Sequence, residues 1–178
     1  MPEPTLTRII GNGLLFNLSW LAIVSSQSNL LAPLFAAAHL GLHAMFWSRD
    51  SREWAFIGGL ALFGASLDQL LFAAGLFNVS GQPALAPLWL SCLWLPLATT
   101  FCHAFRGLQA RPMFAGVLGA MGGALSYSAG IAMTNVEFGS ATLGPVLIGL
   151  VWAVLFPLIA KVSQQVERPG EQHEQQVA

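Results

Sequence analysis

Charge is what this chain has least of. Only 8% of its 178 residues are Asp, Glu, Lys or Arg, against about 25% in an ordinary soluble domain. A soluble protein of 19.0 kDa this poor in charge could not cover its surface with polar groups. Cysteine is also scarce. Cys92 and Cys102 fall in one predicted helix, ten positions apart. That is roughly 15 Å along the axis, beyond disulfide reach. No GxSxG, Walker A loop, dinucleotide fingerprint, HExxH or CxxC occurs, which removes the usual sequence signals of hydrolase, nucleotide and zinc chemistry. A net charge of −1 without a basic patch argues against nucleic acid as a partner.

What the chain has is apolar sequence: 55% of its residues are hydrophobic. Six stretches are long enough to cross a bilayer, at about residues 9–27, 30–47, 54–77, 86–106, 113–133 and 143–162, each matching a hydrocarbon core of about 30 Å. The expected fold is all-α: one polytopic transmembrane domain of six helices over residues 9–162, whose environment is the lipid bilayer. Residues 1–8 form a short N-terminal segment, and the Gln- and Glu-rich residues 163–178 read as a disordered tail. The first stretch is expected to be an uncleaved helix, because no small-x-small cleavage site clearly follows it.

Lys and Arg alternate along this zigzag. Arg8 precedes the first span, Arg49 and Arg52 separate the second from the third, Arg106 and Arg111 flank the turn between the fourth and fifth, and Lys161 and Arg168 end the sixth; the other three connectors carry none. Positively charged connectors stay cytoplasmic. The expected location is therefore an inner (plasma) membrane, with both termini cytoplasmic.

Polar residues inside the spans are costly and face a bundle interior. Cys92, Pro96, Thr99, His103 and Arg106 share one face of the fourth span at steps of four and three, and Pro96 should kink it. Gly13, Asn17, Trp20, Val24 and Gln27 share a face of the first. Ala115, Gly119 and Gly123 form a small-xxx-small ladder, which would make the fifth span the tightly held centre. Counted at 1.5 Å per residue from the cytoplasmic end, His43 and His103 lie about 6 Å deep, Asn17, His39 and Thr99 about 12 Å, and Asp68 and Tyr127 about 20 to 23 Å. Members of each layer are expected to meet.

Asp68, His103 and His43 are the acid–base candidates. Asn17, His39, Thr99, Tyr127 and Arg106 complete the polar interior. The plain alternative for Asp68 is a protonated acid joining two helices. His103 and Arg106 also suit lipid phosphate. His39, His43 and His103 have the residue types of a metal site. No carboxylate is expected at their depth, so no metal is expected either. The sequence names no cofactor.

Several motifs carry a resemblance. They are Asn17-Leu18-Ser19-Trp20, Gly64-Ala65-Ser66-Leu67-Asp68, Ala86-Pro87-Leu88-Trp89, Ala98-Thr99-Thr100-Phe101-Cys102-His103, and the Gly-rich fifth span ending in Tyr127. In this order the chain resembles, over about residues 12–161, a bacterial inner-membrane family catalogued as a domain of unknown function, number 2878. The resemblance implies a small multi-pass protein of a Gram-negative inner membrane and supplies no catalytic residue. Family members often place Asn before the fourth-span histidine, where this chain has Cys102.

Three functions fit these features. The first is binding or modifying a lipid or other hydrophobic small molecule within the bilayer. The second is a small transporter, proton-coupled through Asp68, which would need a homodimer to form its path. The third is a non-catalytic subunit or scaffold for a membrane partner. An apolar cavity opening between helices favours the first, an aqueous vestibule reaching Asp68 the second, and a fully packed bundle the third.

Overall fold

The computed structural model of the chain describes residues 5–167. It is all-α apart from one short ribbon. Helix α1 spans Leu6–Ser26, α2 Leu31–Phe46 and α3 Ser51–Ala73. Strand β1 (Phe77–Val79) follows, then α4 (Leu88–Cys92) and α5 (Trp94–Phe101). A 3₁₀ turn at Arg106–Leu108 leads to α6 (Pro112–Met133), β2 (Val136–Phe138) and α7 (Leu143–Glu167). Among the described residues, four helices are long and apolar enough to cross a membrane: α1, α3, α6 and α7. Their outward faces are apolar, with Leu14, Leu62, Leu125 and Leu150 all exposed. Water would not tolerate so continuous an apolar surface. The protein is a membrane-embedded helical bundle.

The two ends of the bundle are set by named contacts. At one end Arg8 donates to the carbonyls of Phe46 and Trp47, and Gln109 donates to Ser163. At the other, Gln27 donates to the Met133 carbonyl and accepts from the Asn135 amide. There too, the Trp89 amide donates to Asn29. Strands β1 and β2 pair antiparallel at this second end, with Phe77 opposite Phe138. Successive segments thus run alternately between the ends, and the described cations gather at the first.

Helix boundaries follow local chemistry. The Asp50 carboxylate accepts from the Arg52 amide at 2.8 Å and caps α3, so α3 begins three residues before the predicted 54. Its other end is a Schellman motif. Leu76 N–H reaches the Leu71 carbonyl, Gly75 N–H reaches that of Phe72, and Gly75 has φ +74°. That glycine stops the helix at Ala73, four residues before the predicted 77. Helix α7 continues to Glu167, through the first five residues of the expected tail. The rest of that tail, like residues 1–4, lies outside the described residues.

Two expectations are overturned. The fourth span is shorter than 86–106. It covers Leu88–Phe101 with an interruption at Leu93, where Pro96 has no amide proton to offer the preceding turn; His103 lies beyond its end, in a turn and not on a helix face. Nor is the Gly-rich helix the centre. Helix α6 buries only Ala115 and Gly119 and packs chiefly on α7, where a side chain at Gly119 or Gly123 would collide with Phe156 or Trp152. The ladder admits one neighbour. The centre is α5, where Trp94, Pro96, Ala98, Thr99, Thr100 and Phe101 are all buried.

Candidate functional site

Helix α3 organises the polar interior. Glu53, Ile57, Leu60, Gly64, Asp68 and Phe72 form its buried stripe, at steps of three or four. The two carboxylates are 15 positions apart, roughly 22 Å along the axis. Each anchors a separate polar group.

At the cation-rich end, Glu53 draws in two imidazoles. His43 Nε2 lies 2.9 Å and His103 Nε2 2.8 Å from the same oxygen, Glu53 Oε1. His43 ends α2, Glu53 opens α3, and His103 follows α5. The His43 ring is stacked on Trp47 at an interplanar angle of 4° and meets Trp54 edge-on. Trp47 is fixed in turn by donating to the Arg8 carbonyl at 3.0 Å. The side chains of His43 and Glu53 are 0% and 3% exposed, that of His103 12%, so access is from the His103 side.

Midway, His39 is fully used. Its Nδ1 lies 2.8 Å from Ser19 Oγ and its Nε2 3.0 Å from Thr99 Oγ1. Thr99 spends its own proton on the Pro96 carbonyl at 2.8 Å, so it accepts from His39 Nε2–H. With both ring nitrogens partnered, His39 ties α1, α2 and α5 together and has no nitrogen to spare for chemistry.

Toward the ribbon end, Asp68 faces an internal cavity of about 350 Å³. Trp94 Nε1 donates to Asp68 Oδ2 at 2.8 Å and the Tyr127 hydroxyl to Oδ1 at 3.3 Å. The indole of Trp94 lies flat against Gly64, where no side chain would fit, and stacks on Trp152 at 5.5 Å. The cavity extends between α1, α5, α6 and α7, and Phe16, Trp20, Leu118 and Phe156 are among its lining residues. Leu118 is also exposed on the outer surface, so the cavity reaches the lipid-facing side beside α6. Asp68 is the only carboxylate on the wall among the described residues.

The acid–base candidates therefore divide. His43 and His103 meet each other, with ring centroids 5.2 Å apart, while Asp68 is elsewhere; the three cannot act on one reacting atom. Asp68 and Tyr127 meet, as do His39 and Thr99. Asn17 does not join them. It is exposed and donates to the Gly13 carbonyl one turn back in its own helix. Asn12 and Ser19 take the buried places on α1. Arg106 is half-buried in the 3₁₀ turn.

Sequence reasoning missed Glu53, Trp94 and Ser19. The spacing from Glu53 to Asp68 along one helical stripe would have found the first. Nothing in the sequence marks Trp94 as the partner of Gly64.

A family model described as "Protein of unknown function (DUF2878)" matches residues 9–158. The chain belongs to this family. No curated protein and no solved structure matches it. For a member of the DUF2878 family, the reading of function rests on the two polar groups and the cavity.

Proposed function

We propose that the protein holds a lipid or other hydrophobic small molecule inside the bilayer, in the cavity beside Asp68. The bundle would sit in a bacterial inner membrane with both termini cytoplasmic. The alternation of cationic and uncharged connectors supports that orientation, and so does the gathering of the described cations at one end. The observation that carries the reading is a cavity of about 350 Å³ whose wall is apolar and aromatic except around Asp68, Ser126, Tyr127 and Thr134. Ligand pockets of this size combine an apolar lining with a few convergent polar groups.

The chemistry of the wall narrows the ligand. Each Asp68 oxygen receives one donor from the protein, and a carboxyl oxygen has capacity for a second. A ligand end that donates a hydrogen bond, such as an alcohol or an amide, suits this wall. The apolar body would lie against Phe16, Trp20 and Leu118 and enter from the lipid beside α6. An apolar wall also suits a greasy ligand better than an aqueous ion path.

The test is extraction of lipids from protein purified in nanodiscs, compared with the bulk nanodisc lipid. Enrichment of one lipophilic class is expected with the wild type and loss of it with Gly130→Leu. Gly130 lines the cavity and a Cβ there meets only Trp20, at 3.9 Å, so a side chain at this position starts without a clash and takes up cavity space. Equal lipid profiles for wild type, variant and bulk would refute the reading.

A further inference from the structure

The cluster at the opposite end of α3 belongs to no part of that cavity. We propose that His43, Glu53 and His103 form a binding site for a divalent first-row transition cation, with Zn²⁺ as the probe. Two imidazoles and one carboxylate, held by three separate elements, are the donor set of open three-ligand zinc sites. Both histidines present Nε2 to one carboxylate oxygen at 2.8 and 2.9 Å. One ligand atom from each of the three residues lies within 4.8 Å of the others. Ligands at about 2.1 Å from a tetrahedral ion stand roughly 3.4 Å apart, so each imidazole need draw back from Glu53 Oε1 by only about half an ångström to reach that spacing.

The surroundings favour an ion over a simple hydrogen-bonded tie. His43 is fixed in orientation by Trp47 and Trp54, which prepares one ligand in advance. His103 is the one partly exposed member and leaves an approach for the ion and for a fourth ligand.

The experiment uses the full chain in detergent with its purification tag removed. Co²⁺ titration should give one equivalent per chain with the visible spectrum of a tetrahedral N/O site, displaced by Zn²⁺. X-ray absorption of the loaded wild type should show two imidazoles and one carboxylate. His103→Asn and Glu53→Gln should each weaken binding by about 100-fold or more, since losing an outer partner alone costs 10- to 100-fold. His173→Asn, which changes the chain's remaining histidine outside the cluster and the His39 relay, should bind as wild type does. The unfolding midpoint of the wild type should rise with added Zn²⁺. No stoichiometric Co²⁺ uptake by the wild type would overturn the proposal. So would uptake without imidazole ligands, or uptake that survives both cluster substitutions.

Discussion

Replacing Gly64 with alanine should cost far more than one methyl group suggests. The new Cβ would overlap the six-membered ring of Trp94, which is buried and stacked on Trp152 at 5.5 Å. The indole must move, and its Nε1 is the donor to Asp68 at 2.8 Å. Overpacking in a filled core costs about 1–3 kcal/mol, and a buried acceptor losing its donor about 1–3 kcal/mol more. The sum is on the order of 3 kcal/mol, about a 100-fold fall in the folding equilibrium. Gly58, in the same helix, is the control: its Cβ would meet nothing within 4 Å, and alanine there should be neutral or slightly stabilising. Unfolding by sodium dodecyl sulfate from mild detergent micelles, followed by tryptophan fluorescence, compares the two. Equal midpoints for Gly64→Ala and Gly58→Ala would refute the packing of α3 on Trp94.

Three further outcomes follow from the buried groups, read by the same unfolding assay. Asp68→Leu leaves the Trp94 and Tyr127 donors without their acceptor and should destabilise by about 2–5 kcal/mol, whereas Asp68→Asn keeps one acceptor oxygen and should lose clearly less. Ser19→Ala removes the partner of His39 Nδ1 and should cost about 1–3 kcal/mol; Thr99→Ser keeps its hydroxyl and should stay close to wild type. Gln69 clamps Ala86 by accepting from its amide at 3.1 Å and donating to its carbonyl at 3.0 Å, so Gln69→Ala should lose about 1–3 kcal/mol, and a wild-type midpoint would show the clamp to be idle.

The long spans and the meeting of Asp68 with Tyr127 were legible because bilayer thickness and helical rise convert sequence position into depth. The same count put His43 beside His103. It failed where the controlling fact was rotation about a helix axis. Helix α1 was expected to turn Asn17 inward, yet it buries Asn12, Ser19 and Ile23. In a lipid-facing helix both faces are apolar, so hydrophobicity barely marks which one is the core. Glu53 falls between the predicted spans 30–47 and 54–77, beside Arg52, where an acid looks like surface. Only the arrival of His43 and His103 on Glu53 Oε1 makes it interior. Pro96 marked the interruption of the fourth span, but its early end at Phe101 was invisible, because no proline or glycine follows before Gly107.

The central claim is that a greasy molecule enters the space beside Asp68, and tryptophan quenching by a brominated fatty alcohol tests it most directly. With Trp47 and Trp54 replaced by phenylalanine, Trp20, Trp89, Trp94 and Trp152 remain; all four line the cavity. Saturable quenching that Gly130→Leu abolishes is the predicted result. Quenching that rises linearly with probe and ignores Gly130→Leu would mean that the bromine reaches these indoles only through bulk lipid, and that the cavity holds no ligand.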